Sequence, residues 1–292
     1  MSWVVAVAYV IGLGVGYAAS ANAAFARVWP AIVRTQMAIA PLLLTISAVW
    51  RIESFAEVAW ASIMSIGFLV LWGVAYLTQR GPRRLGHAAL QTMAVSPNTG
   101  FFLLPVAAAF GGSAALAPAV LADRVTIPIW SAFIGMLRRD APIRQSRRTG
   151  FVDQASLIAL AVGLLLRATV PAPAWTEPAA LWMTPIIALT GAATFMGSVL
   201  HPTQRIDYRP GVRRWLTLVG LRLALYAAIF AVVPTDGLRV VALLCALSIP
   251  TFAPPQWATL YGYSDPVLAT SNRFGWFLGA AGVLTLVWWS AF

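Results

Sequence analysis

Ten apolar segments follow one another along this chain, at about 2–20, 30–50, 55–78, 86–110, 113–137, 152–170, 181–200, 214–233, 237–261 and 265–291, bounded by Arg, Pro, Gly and Trp. A helix needs ~20 mostly apolar residues to cross the hydrocarbon core of a bilayer, and each segment comes near that length. Lipid offers no water to satisfy backbone N–H and C=O groups, so a chain built this way is confined to helices. The expected fold is an all-α integral membrane protein with ten transmembrane helices. The 292 residues leave no room for a second, soluble domain. Composition agrees: 60% of residues are apolar and 10% charged, whereas a soluble domain carries about a quarter charged residues.

The net charge of +11 comes from arginine, because all 20 basic residues are Arg and none is Lys. Such a balance in a soluble protein would suggest nucleic acid. Here the arginines fall in short connections between apolar segments, which excludes that partner and sets an orientation instead. Odd-numbered connections hold fourteen arginines, and even-numbered ones hold Arg51, Arg167 and Arg239. The positive-inside rule then places the odd connections in the cytoplasm and both termini outside, in the cell inner (plasma) membrane. Arg124, Arg222 and Arg273 lie inside segments, and Arg222 reads as snorkelling or paired within a scaffold. Ala21-Asn22-Ala23 looks like a cleavage site, but Met1-Ser2-Trp3 carries no basic side chain, so the first segment reads as a retained span. Trp29, Trp50, Trp60, Trp182, Trp215, Trp288 and Trp289 sit near segment ends, as interfacial anchors do. The single cysteine, Cys245, excludes an intramolecular disulfide and reads as a small core residue.

The chain also repeats itself. A shift of 150 residues sets Pro105 on Pro255, Phe110 on Leu260 and Gly112 on Gly262. Residues 1–137 and 152–292 then form two five-span repeats, joined by a basic cytoplasmic linker at 138–151. Five is odd, so the halves insert with opposite orientation, which is the inverted-repeat architecture of many secondary transporters.

The fourth segment contains Ser96-Pro97-Asn98-Thr99-Gly100-Phe101-Phe102-Leu103-Leu104-Pro105. Each proline removes a backbone donor and obstructs the preceding turn, so a straight helix is not expected. The matching place in the second half reads Ser248-Ile249-Pro250-Thr251-Phe252-Ala253-Pro254-Pro255-Gln256. Two helices broken at matched positions point to a midplane binding site, while proline kinks used only for packing are the alternative.

Asn98-Thr99-Gly100-Phe101, then Leu104-Pro105 and Phe110-Gly111-Gly112, resembles the fourth-span motif of the auxin efflux carrier family. That family includes bacterial organic-acid permeases and the plant auxin exporters. Ala253-Pro254-Pro255-Gln256 with Tyr261-Gly262 and Asp265-Pro266 resembles its ninth-span motif and the start of its tenth. The likeness is specific over these two segments, about a sixth of the chain. It implies a scaffold and a transport domain whose broken helices, 4 and 9, cross as in the bile-acid/sodium symporters. It also implies that Asn98, Thr99, Gly100, Pro105, Pro255 and Gln256 lie at or beside the crossover, where substrate binds. Helix N-termini in such a gap aim N–H groups at an anion.

In the fifth span this chain carries Asp123-Arg124 where the plant exporters place polar uncharged residues, and Arg273 lies 150 residues beyond Asp123. Charges at membrane depth normally pair or serve a pathway, so Asp123 and Arg273 are expected to pair across the halves. A proton-carrier role for Asp123, or an anion-ligand role for Arg124 or Arg273, is the functional alternative to a structural pair. Gly12-Leu13-Gly14-Val15-Gly16 reads as a helix-packing face, not a dinucleotide loop. Pro41 marks a kink, and the acidic residues Glu53, Glu57, Glu177, Asp236 and Asp265 read as solvated.

The function these features suggest is a permease moving a small organic anion, such as a carboxylate or an auxin-like acid, by alternating access. The expected partners are that anion and the bilayer, with a homodimer as an option. A non-transporting sensor or receptor on a carrier fold and a sodium-coupled symporter are the alternatives. An intramembrane enzyme would need paired aspartates or a nucleophile with its base, and the spans offer one Asp and no mid-span His, so no enzyme is expected. No cofactor or metal is expected either, since His87 and His201 lack ligand spacing. A phosphate-binding Gly-x4-Gly-Lys loop is impossible without lysine. Beyond Asp123 no carboxylate is evident near the crossover, which favours uniport or proton linkage over sodium.

Overall fold

The computed structural model describes residues 2–22, 39, 42–51, 55–142, 152–200, 207–251, 254, 258 and 261–290. Among them the regular structure is helical, and the one strand-like pairing is an isolated antiparallel bridge between Pro97 and Pro250. The helices are α1 (Ser2–Ala21), α2 (Phe55–Thr78), α3 (Arg84–Val95), a five-residue π-helix (Thr99–Leu103), α4 (Leu104–Arg139), α5 (Val152–Thr169), α6 (Thr176–Leu200), a 3₁₀ turn (Arg209–Gly211), α7 (Val212–Val232), α8 (Asp236–Leu247) and α9 (Pro266–Ser290). Residues 42–50 are helical as well. α4 is two helices meeting at Gly112, whose φ of 58° and ψ of −145° suit glycine alone. The sequence sets the boundary between the fourth and fifth spans at this residue.

Among the described residues, five stretches are long and apolar enough to cross a membrane: Trp3–Ser20, Ala56–Thr78, Thr99–Arg139, Thr176–Met196 and Arg209–Val232. Their outer faces expose Val10, Leu69, Ile186 and Leu216, as lipid-facing side chains require. Trp182 and Trp288 are exposed in keeping with interfacial anchors, but Trp215 is buried against Phe274 and cannot face lipid.

Contacts between connections fix two opposite ends of the bundle. At one end Trp50 donates to the Val170 carbonyl at 2.7 Å, and Gly237 abuts the backbone of Ala114. At the other, Tyr263 donates to Leu137, and Arg214 to Ala75 and Thr78. This second end gathers Arg80, Arg83, Arg84, Arg138, Arg139, Arg209, Arg213 and Arg214. α3 runs inward from the arginine-rich end and α8 from the opposite one, so their C-termini approach each other mid-bundle.

The glycine run on α1 is a packing face. A Cβ on Gly12 would lie 2.8 Å from Ala192 Cβ, and one on Gly16 2.8 Å from Ala193 Cα, so α1 and α6 touch almost backbone to backbone. Gly14, on the opposite side of α1, faces open space. The largest core lies among α4, α8, the 42–50 helix and α7, around Leu44, Leu104, Leu121, Tyr226 and Leu244.

Candidate functional site

α3 ends at Val95 because Pro97 has no N–H to continue it and forces the preceding residue out of the helical region. Ser96 takes φ −66° and ψ 147°, and Ser248, at the end of α8, takes nearly the same pair, −65° and 151°. The two unwound segments meet. Asn98 N donates to Ile249 O at 2.9 Å and to Ser248 Oγ at 2.8 Å, beside the Pro97–Pro250 bridge. Breaking the helices frees backbone groups, and each break satisfies part of the other.

Asn98 then caps the π-helix: its Oδ1 accepts from Phe101 N at 3.0 Å. Its Nδ2 is buried and has no hydrogen-bond partner among the described residues, with the residue 3% exposed. An orphan buried donor is costly, so such a group marks a place where an acceptor belongs. Next to it Thr99 Oγ1 donates to Asp123 Oδ1, and Asp123 Oδ2 lies 2.9 Å from Arg124 Nη2. A Cβ on Gly100 would be 3.9 Å from Asp123 Oδ1. Asn98, Thr99, Gly100 and Asp123 therefore come together as the sequence suggests. Pro105 is buried in the first turn of α4, where a missing N–H costs nothing. Pro255 and Gln256 lie outside the described residues, as do Pro41 and His201.

The expected pairing of Asp123 with Arg273 does not occur. Asp123 pairs with its neighbour Arg124, while the Arg273 guanidinium lies 4.6 Å from the centre of the Tyr208 ring on the exposed side of α9. Helical geometry explains this. α9 faces the crossover with Ser271, which donates to Ala94 O, with Gly275 against Pro250, and with Gly279 against Ile249. Arg273 is two residues from Ser271, so it points to the opposite side of the helix.

Arg222 does not snorkel; it is paired inside the bundle, and among the described residues its partners are backbone carbonyls and not an acid. It is fully buried, at 0% exposure, and donates from Nε to Cys245 O at 2.8 Å, from Nη1 to Val95 O at 2.7 Å and from Nη2 to Ser248 O at 2.6 Å. One guanidinium thus holds the C-terminal ends of both broken helices. The remaining end carbonyls of α3 are also occupied: Thr92 O by Ser96, Met93 O by Thr251 Oγ1 and Ala94 O by Ser271 Oγ. Sequence reasoning misses Arg222 because its acceptors are backbone carbonyls, which every residue supplies.

The π-helix also touches the α1/α6 pair. Tyr9 Oη donates to Phe101 O at 2.8 Å, and a Cβ on Gly191 would fall 2.7 Å from Phe101 Cβ. At the arginine-poor end a cavity of about 370 Å³ opens between the 42–51 and α6 segments on one side and α4 and α8 on the other. Its lining includes Ser47, Arg51, Glu57, Ser113, Leu181 and Asp236, and Arg51 Nη2 meets Glu177 Oε2 at 2.6 Å beside it.

At the arginine-rich end Asp265 is 1% exposed and not solvated, which corrects the sequence reading. Its Oδ1 caps α9 through Val267 N at 2.9 Å, and its Oδ2 accepts from Gln91 Nε2 at 2.9 Å and faces His87 Nδ1 at 2.9 Å. Tyr263 packs edge-on against His87, and burial together with the nearby Asp140 carboxylate raises its phenol above the usual range. Among the described residues no group of His, Cys, Asp and Glu could hold a metal ion.

No protein-family model matches the chain, and no curated protein matches it either.

Proposed function

We propose that this chain is a secondary carrier of small organic anions, with two inverted five-span repeats and a substrate site where the unwound segments of its fourth and ninth spans cross. The observation that carries the reading is the Asn98 corner. A buried amide donor without a partner among the described residues sits at the start of a π-helix, beside a helix break that bonds to a second break. A carboxylate suits this corner, because the N-terminal N–H groups and Asn98 Nδ2 all donate. Three facts support the repeat: the breaks bond to each other, Ser96 and Ser248 share one backbone conformation, and Gly112 and Gly262, 150 residues apart, both adopt positive φ, 58° and 75°. In this reading the arginine-rich end is cytoplasmic and both termini are outside. The chain resembles the auxin efflux carriers, and the cavity beside Arg51 is the outward vestibule between scaffold and transport domain.

The test is counterflow in proteoliposomes with a panel of labelled carboxylates, on the parent and on Asn98→Ala. Uptake of at least one carboxylate by the parent, reduced tenfold or more by Asn98→Ala, is expected. Absence of uptake for every anion under pH, sodium and potential gradients refutes the carrier reading. Uptake unchanged in Asn98→Ala refutes the site.

A further inference from the structure

A helix that stops inside a membrane leaves up to four carbonyls without N–H partners and a partial negative charge at its end. Two such ends face each other here, α3 arriving from one side of the bundle and α8 from the other. Two negative poles in a low-dielectric interior require a cation between them, and in broken-helix transporters unwound carbonyls and half-helix C-termini are where coupling cations bind. In this chain that position is filled by a side chain. Arg222 reaches Val95 O from α3 and Cys245 O and Ser248 O from α8, each at 2.6–2.8 Å. It uses three different nitrogens, and among the described residues no carboxylate lies within salt-bridge distance of it. The other end carbonyls of α3 accept from Ser96, Thr251 and Ser271, so on α3 all four end carbonyls are occupied by groups of the chain itself.

We infer that Arg222 is a tethered cation: its guanidinium occupies a monovalent-cation site built from the C-terminal carbonyls of the two broken helices, and the protein holds its crossover together without a bound alkali ion. The planar fork suits this role. A guanidinium spreads its donors over three nitrogens in one rigid plane and so spans carbonyls on two helices, whereas an ammonium must gather every acceptor around a single nitrogen. Resting on the carrier reading, the corollary is that anion transport does not require sodium as a co-transported ion.

The experiment is unfolding of the purified full chain in mild detergent, followed by tryptophan fluorescence, in choline, sodium or potassium chloride at equal ionic strength. The parent midpoint is expected to be the same in all three salts. Arg222→Ala is expected to have a lower midpoint that propylguanidinium raises saturably at millimolar concentration, with propanol giving no such rise. Arg222→Lys is expected to fold with an intermediate midpoint. A saturable, sodium-specific rise for the parent would overturn the inference whether or not the variants fold. So would an Arg222→Met protein as stable as the parent, or a folded Arg222→Ala protein that no cation stabilises. Counterflow of the parent in sodium and in choline is then compared. Equal rates agree with the corollary, and a rate present only in sodium contradicts it. Absence of transport in both refutes the carrier reading while leaving the midpoint result to decide the role of Arg222.

Discussion

Three glycines on one helix give the sharpest test of the packing, because the same substitution is expected to act with opposite sign within two turns. Glycine in a helix interior costs ~0.5–1 kcal/mol relative to alanine through backbone entropy. At Gly14 a Cβ meets nothing within 4 Å, so Gly14→Ala is expected to stabilise by about that amount. At Gly12 the added carbon lies 2.8 Å from Ala192 Cβ and closer still to the Leu189 carbonyl oxygen; at Gly16 it lies 2.8 Å from Ala193 Cα and closer still to Ala193 O. These obstacles are backbone or backbone-adjacent, so no rotamer change relieves them and α1 must move away from α6 by roughly 1 Å, the gap to an ordinary carbon contact of ~3.5–4 Å. Overpacking of this kind costs ~1–3 kcal/mol. Set against the propensity gain, Gly12→Ala and Gly16→Ala are each expected to destabilise by about 1–2 kcal/mol. Titration of the protein from mild detergent micelles into dodecyl sulfate, followed by tryptophan fluorescence, reads the differences. Equal effects at all three positions, or a neutral Gly16→Ala, would refute the backbone-to-backbone contact of α1 and α6.

Two further substitutions test the crossover and the arginine-rich end. Thr99→Val keeps the side-chain shape but removes the donor to Asp123; a hydrogen bond to a charged group contributes ~1.5–3 kcal/mol, so a loss in that range is expected from the same titration, with Thr99→Ser recovering most of it. Asp265→Ala removes the cap of α9 and the acceptor for Gln91, and a loss of about 3 kcal/mol is expected, whereas Asp236→Ala, whose side chain is 81% exposed and pairs with Arg239, is expected to cost less than ~1 kcal/mol.

The parts of this fold legible in the sequence are those imposed on the backbone by a single residue. Pro97 dictates the break after Val95, and Gly112 marks the turn between two helices, because each acts on its own φ and ψ. Apolar length is local in the same way, and it matches the five long apolar helical stretches among the described residues. The candidate site was readable where it follows the break, at Asn98 and Thr99. It was not readable where it depends on which way a helix is turned. A shift of 150 residues brings Asp123 and Arg273 to equivalent positions in sequence, but equivalence does not choose a helix face. Ser271, Gly275 and Gly279, spaced by four, were the available sign that the inner face of α9 excludes Arg273. Asp265 looked like a loop acid because its partners, His87 and Gln91, lie more than 170 residues away.

The charge balance at the crossover bears on which ligand the proposed site would take. Three described helix ends meet where the two breaks bond to each other, the C-termini of α3 and α8, which are negative, and the N-terminus of the π-helix, which is positive. The end carbonyls of α3 are occupied within the chain, by Arg222, Ser96, Thr251 and Ser271, and Arg222 also binds Cys245 O and Ser248 O at the end of α8. Asp123, the one acid beside the described positive end, is matched by Arg124 and by the Thr99 hydroxyl. What is left is the amide donor of Asn98 at the head of the π-helix. A cationic substrate would meet the Arg222 guanidinium already seated on the Val95, Cys245 and Ser248 carbonyls. An anion would meet an uncommitted donor and the positive end of a helix. On the proposed reading the same accounting separates two roles: Arg222 ties the ends of α3 and α8 together, and Asn98 keeps a donor for a ligand.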